Sequence, residues 1–312
     1  MLPLVWSSNY LIARVAATRV PPNTLAFGRW GIVFVVLLVW CRRSLAADPG
    51  RLRAEAPRLL VLGALGMWIC GAWVYIGGHS TSATNIGLIY AAAPVGIALG
   101  GQRLLGEHLG GWQRAALALA LVGVVFVVAR GEPARLLAVR FSAGDLWIVG
   151  ATVSWVAYSL LLKIWPTRLT ATERLCGMAG GGLLVMLPFV VAEWLRQPVA
   201  IAAAGWGLIV LAGLLPGLAS YLAYGFLQQE LGAGRAALVM YLAPVYAALL
   251  AWWLLGEPPR WYHGVGALLI LPSIQLAGRR PAGDRKSGMA PSLSSPPPDL
   301  VRAPPTQKET RR

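Results

Sequence analysis

The sequence predicts an all-α integral membrane protein: ten transmembrane helices, built as two inverted-topology repeats of five. Three observations predict it. Of 312 residues, 57% are hydrophobic and 12% charged, against about 25% charged in a soluble domain; mean hydropathy is +0.63. Apolar runs recur along nearly the whole chain, each long enough to cross a hydrocarbon core of ~30 Å as a helix of ~20 residues. Two segments 150 positions apart share a motif. This composition excludes disordered, collagen-like and disulfide-stapled classes.

The runs lie near 2–19, 24–41, 59–78, 82–104, 112–130, 145–165, 174–194, 203–227, 235–255 and 261–278. The first has no basic leader and contains Arg14, so it reads as a retained helix rather than a cleaved signal. The second contains Arg29 and ends at Arg42 and Arg43; the third follows Arg51, Arg53 and Arg58. The fourth and ninth each contain a proline, Pro94 and Pro244. Arg114 and Arg130 fall at the ends of the fifth, Asp145 opens the sixth, and Arg174 and Arg196 bracket the seventh. The eighth is apolar apart from Ser220, Tyr221 and Tyr224, and the tenth apart from Tyr262, His263, Ser273 and Gln275. Helices are required because lipid offers no partner to free backbone groups. Short connections leave no room for a soluble domain. The organisation is therefore a first repeat over 1–130, a linker over 131–143, a second repeat over 144–278 and a disordered cytoplasmic tail over 279–312. The tail is rich in Pro, Ser and Arg and buries too little surface to offset its ordering entropy.

The formal charge of +15 orients the chain and does not argue for nucleic acid. Of the 27 Lys and Arg, 18 fall in the tail and in the loops on its side of the membrane, and 6 fall on the other side. By the positive-inside rule both termini are cytoplasmic. The expected location is the inner (plasma) membrane, with the bilayer and a small-molecule substrate as partners and a monomer or homodimer as assembly. The awkward loop is the fifth, with Arg130, Arg135 and Arg140 outside against Glu132 and Asp145. Cys41, Cys70 and Cys176 read as small packing residues, and His79, His108 and His263 occupy three different parts of the chain. No metal or other cofactor is expected.

Residues 91–107 read AAAPVGIALGGQRLLGE and residues 241–257 read YLAPVYAALLAWWLLGE. Upstream, Trp6, Arg14 and Gly28 align with Trp155, Lys163 and Gly177 at an offset of 149. Five spans per repeat, an odd number, turn the second half upside down relative to the first. Inverted repeats characterise secondary transporters, with the site near the midplane between them. The ten-span plan, the duplicated Ala-Pro-Val…Leu-Gly-Glu segment, the opening Trp-Ser-Ser-Asn run followed by a cation, and Arg29 early in the second helix together resemble the drug/metabolite transporter superfamily, EamA type. The likeness covers residues 1–278. It implies export or exchange of a small metabolite, amino acid or drug-like molecule by alternating access, without enzyme activity.

Candidate residues follow. Pro94 and Pro244 release the carbonyls of Tyr90 and Met240 and are either packing kinks or hinges. Glu107 and Glu257 end helices where a carboxylate opposes the dipole; a structural role, with Arg103 and Arg260 as partners, outweighs coupling. Arg14, Arg29 and Lys163 are cations within spans, which either snorkel to the interface or line a pathway and favour carboxylate-bearing substrates. Trp6 and Asn9 share one helix face, as do Trp155 and Tyr158; with Tyr90 they are candidate pathway residues, the alternative being interhelical bonds or an aromatic belt. Tyr75, Tyr221, Tyr224 and Tyr241 are weaker candidates, read first as packing or interface residues. Three small-xxx-small pairs, Gly96/Gly100, Gly177/Gly181 and Gly213/Gly217, read as close helix contacts. No phosphate loop or zinc motif occurs, and no carboxylate lies mid-span. The rival class, a polytopic membrane enzyme acting on a lipid-like substrate, needs clustered acids, histidines or metal ligands, and these are scattered.

Overall fold

All ten apolar runs are helical, and no strand occurs among the described residues. The structure, a computed structural model, describes residues 2–277 apart from 17, 79, 82 and 197–199. The tail expected from 279 lies outside the described residues, as does the Arg14 side chain. We number the helices α1 (Leu2–Ala16), α2 (Pro22–Ala47), α3 (Pro49–Gly78), α4 (Asn85–Leu105) and α5 (Gly111–Val128). They continue as α6 (Ala143–Ile164), α7 (Ala171–Arg196), α8 (Ala203–Leu231), α9 (Ala233–Leu254) and α10 (Trp261–Ala277). Eight of these are long and apolar enough to cross a membrane; α1 and α10, with 15 and 17 described residues, fall short of that length. A single turn, Ala134–Leu137, sits between α5 and α6.

Local chemistry sets the boundaries. Pro22 opens α2, and the N–H groups of Asn23 and Thr24 donate to Glu193 on α7 at 3.0 and 2.8 Å. The α6 start is a capping box, Ser142 with Asp145. Both α4 and α9 end at a glycine in the left-handed region, Gly106 at φ 66° and Gly256 at φ 68°, where any side chain would be strained. In each case the following glutamate N–H reaches back six residues, Glu107 to Gly101 O and Glu257 to Ala251 O, which gives a partner to a carbonyl of the last turn.

α3 and α8 each widen into π-helix, over Ala64–Ile69 and Gly213–Ala219. A π segment leaves carbonyls without their usual partner. In α3 three oxygens accept from other helices: Leu65 O, which also takes the Cys70 N–H, from the Ser154 hydroxyl at 2.9 Å, Gly66 O from the Tyr221 hydroxyl at 2.7 Å and Met67 O from the Trp30 indole at 3.1 Å. The bonds tie α2, α6 and α8 to one stretch of α3.

α2 lies along α7, α5 along α10, and α4 against both α6 and the start of α9; α1 rests on α8 and α9, and α3 on α6 and α7. Glycines set the spacing: Gly96 and Gly100 face Val156 and Leu160, Gly177 and Gly181 face the turn at Leu59, and Gly213 and Gly217 face Ile32 and Val33. The closest approach to another helix's backbone is at Gly63, where a Cβ would fall on the backbone of Met178 and Gly182. The outward surface is apolar, with Val39, Trp40, Leu184, Leu195, Phe226 and Trp253 exposed. A soluble monomer does not present such a surface; lipid covers it, and the chain is a multi-pass membrane protein.

Candidate functional site

The largest buried side chains converge where α1, α2, α6 and α8 meet. Trp6 of α1 lies edge-on to Trp155 of α6 with ring centroids 5.0 Å apart, and stacks on Tyr221 of α8 at 5.8 Å. Trp155 stacks on Tyr158 at 5.2 Å and reaches Tyr224 at 5.1 Å. Trp30 joins edge-on to Tyr221 at 4.8 Å. Each such pair is worth about 0.5–1.5 kcal/mol beyond its buried area. Trp155, Tyr158, Tyr221 and Tyr224 are buried. Three sequence candidates, Trp6, Trp155 and Tyr158, therefore meet in one cluster, drawn from both halves of the chain. Tyr221 and Tyr224, read as packing residues, belong to it, and Trp30 was not singled out. The signal for the tyrosines was their spacing of three on an otherwise apolar helix; for Trp30, only its place beside Arg29.

Arg29 stands at the edge of this cluster, 4% exposed. Its guanidinium carbon lies 4.9 Å from the Trp30 ring centre, and Nη1 donates to Asn9 Oδ1 at 3.2 Å. The Tyr75 hydroxyl is 3.5 Å from the same Asn9 oxygen. Cys70 is within hydrogen-bond reach of Tyr90. Two sequence candidates, Asn9 and Arg29, are thus in direct contact. Arg29 is inside the protein, so it does not snorkel. Its Nε–H is buried without a hydrogen-bond partner. An orphaned buried donor costs about 1–3 kcal/mol, more beside a charge. Gly71 and Gly217 keep α3 and α8 clear of the group.

On the other side of the rings, Lys163 Nζ donates to Gln228 O at 2.8 Å. The buried Gln228 amide donates to Ser159 O at 3.1 Å and to the Tyr224 hydroxyl at 3.2 Å, and that hydroxyl bonds Ser159 Oγ at 3.0 Å. Gln228 was not picked out from the sequence, where one amide near a helix end carries no pattern.

The prolines sit at matching breaks. Ala92 before Pro94 has φ −75°, ψ −19°; Leu242 before Pro244 has φ −73°, ψ −17°. The Tyr241 hydroxyl donates to Ala91 O at 2.8 Å and the Ser7 hydroxyl to Ala243 O at 2.9 Å, so each break is bridged by a side chain from another helix. Glu107 accepts from the N–H groups of Ala233 and Gly234 at 2.7 and 3.0 Å. Its partner is the positive start of α9, a different one from the Arg103 expected. Glu257 follows the equivalent glycine turn. Among the described residues no three His, Cys, Asp or Glu side chains gather as a metal site.

Residues 1–129 and 142–279 match the EamA-like transporter family. A protein of Streptantibioticus cattleyicolor named "Probable terminal-alkyne amino-acid exporter" is 27% identical over 92% of this chain and 94% of its own. An uncharacterized transporter of Archaeoglobus fulgidus is 22% identical over 88% and 93% of the two chains. The uncharacterized transporter YyaM of Bacillus subtilis is 24% identical over 86% and 88%. A solved crystal structure superposes with a TM-score of 0.72 at 20% identity, covering 89% of this chain and 94% of its own, a likeness of fold. With both halves matched, the chain belongs to the EamA-like transporter family.

Proposed function

We propose that this transporter moves a small carboxylate-bearing metabolite, an amino acid in the first instance, across the cytoplasmic membrane by alternating access between two inverted five-helix repeats, 1–130 and 144–278. The carrying observation is Arg29: a buried guanidinium whose side-chain partner is neutral Asn9, at the rim of an aromatic cluster that joins the halves. A buried cation persists only with a partner for its charge, and a substrate carboxylate supplies one. The amino-acid exporter among its relatives points to the same class.

Several contacts support the repeat. Helix pairings survive the exchange of αn with α(n+5): α1 on α9 with α6 on α4, α1 on α8 with α6 on α3, and α2 on α8 with α7 on α3. Glu193 accepts from the Thr24 hydroxyl, and Glu173 from that of Ser44; Thr24 and Glu173, and Ser44 and Glu193, are both 149 apart. The π segments start 149 apart as well. Two like halves in opposite orientations exchange their conformations to open one side or the other.

Coupling to protons is not part of the proposal. Asp145, Glu107, Glu173 and Glu193 are engaged in capping or interhelical bonds. The test is counterflow in liposomes holding the full chain, with L-propargylglycine as probe and propargylamine as its decarboxylated control. Saturable exchange of the acid alone, unchanged by an imposed pH gradient, is expected. Equal movement of the amine overturns the carboxylate reading. Exchange of neither compound, nor of any amino acid in a full panel, overturns the amino-acid assignment.

A further inference from the structure

Between α6, α7 and α8 lies a cavity of about 50 Å³. Its lining runs from exposed Lys163 and Gln229 to buried Tyr158, Tyr221 and Gln228, the first two of these belonging to the aromatic cluster. Arg174 forms one wall. Its Nη1 donates to Leu162 O at 2.8 Å and its Nη2 to Trp165 O at 3.0 Å, which fixes the guanidinium under the last turn of α6. Both partners are neutral carbonyls, and Arg174 Nε is buried without a partner. Gln228 is 2% exposed, and while its amide nitrogen is fully used, its Oε1 is buried without a partner. Three helices thus bring to one lining an arginine with an unused donor, a lysine, and a glutamine with an unused neutral acceptor.

We propose that this cavity is a second substrate subsite, distinct from Arg29, that holds the α-carboxylate and α-ammonium of an amino acid at the cytoplasmic mouth. Arg174 Nε–H and Lys163 meet the carboxylate; Gln228 Oε1 accepts from the ammonium. A charge-assisted bond to a carboxylate is the strong kind, and the Arg174 fork is held in place before the ligand arrives, so little ordering entropy is lost on binding. The room suffices for a headgroup, and the side chain points toward the ring cluster. The ligand class rests on the proposed function, but the subsite makes a claim about binding that stands apart from transport. Gly225 on the same lining offers a steric control, since a Cβ there meets no atom within 4 Å.

The experiment is thermal unfolding of the full chain in lipid nanodiscs, titrated with glycine, acetate and acetamide at constant ionic strength. Glycine and acetate are expected to raise the midpoint saturably and acetamide not. Lys163→Gln, which leaves the α6–α7 turn intact, and Gly225→Leu, which fills the cavity, should each weaken the apparent glycine affinity about tenfold or more. Arg174→Lys keeps the charge but loses the fork and should weaken it less than Arg174→Gln. Gln228→Leu should weaken glycine while sparing acetate. Stabilisation that survives both Lys163→Gln and Gly225→Leu overturns the subsite. Stabilisation lost in Arg29→Gln alone moves the carboxylate to Arg29 and also overturns it, with the transport reading intact. Stabilisation equal for acetamide, or absent in the parent chain, overturns it as well, while counterflow still decides the transport reading by itself.

Discussion

A guanidinium buried in a membrane protein is expensive, and Arg29 carries that expense at the rim of the aromatic cluster. Asn9 and the face of Trp30 offset part of it; cation–π contact contributes about 0.5–2 kcal/mol. Its Nε–H is left over. If that surplus serves a carboxylate, Arg29→Gln should raise the half-saturating concentration of L-propargylglycine in counterflow about tenfold or more, while the unfolding midpoint stays level or rises. Arg29→Lys should recover part of the loss, because a point charge does not replace a planar fork. A fall in midpoint with unchanged half-saturation would make Arg29 structural. The cation itself was legible in the sequence, because charges within spans are rare. Its hydrogen-bond partner was not, because Asn9 comes from another helix. Arg174 escaped for a related reason. By position it counts as a loop cation, yet α7 begins at Ala171 and places it in the first turn, folded back onto the α6 carbonyls. The general liking of helix C-termini for cations was the only signal available.

At the scale of the element, irregular backbone is concentrated where the helices converge. Two π segments and two proline breaks occur at matched positions, and side chains from other helices occupy the carbonyls at the α3 segment and at both breaks. The prolines could be read directly, since each removes a fixed hydrogen bond. The π segments could not, because widening a turn depends on the glycines of a neighbouring helix as much as on local sequence. Gly63 against the Met178–Gly182 turn is an example. If the proline breaks are hinges, restoring the N–H groups in a Pro94→Ala, Pro244→Ala double variant should stiffen α4 and α9. An interior proline costs a helix about 3 kcal/mol, so the midpoint of unfolding should hold or rise. Turnover in counterflow should fall about fivefold or more. Turnover at the parent level would assign both prolines to packing. Glu107 belongs to this scale too. It had been expected to meet a side-chain cation, and it caps α9 instead, because the chain returns the helix start to the end of α4, a contact 126 positions away in sequence.

The whole molecule must choose an orientation, and here composition decides more than any contact. Cations outnumber threefold on the side of the tail, and the translocated side is expected to be poor in them. The loop after α5 opposes this with Arg130, Arg135 and Arg140, but the opposition is weaker than the count suggests. Arg135 Nε bonds Glu132 at 2.8 Å, and that pairing holds the Glu132 carboxyl below its usual range, so both stay charged and cancel. Arg140 spends its carbonyl on Asn85, which also binds Asp145, so the acid that offsets the loop is anchored beside it. In the proposed ten-span arrangement both termini lie on one side, and that side is expected to be the cytoplasm. A fluorescent protein fused after Arg312 should therefore glow in cells, and alkaline phosphatase at the same point should be silent. Phosphatase inserted in the turn at Leu137, exposed and between the halves, should be active. The opposite pattern at both sites would invert the molecule and carry the Arg174 cavity to the outer face. Activity at both sites would place an even number of spans between Leu137 and the C-terminus, and the five-plus-five arrangement would fall.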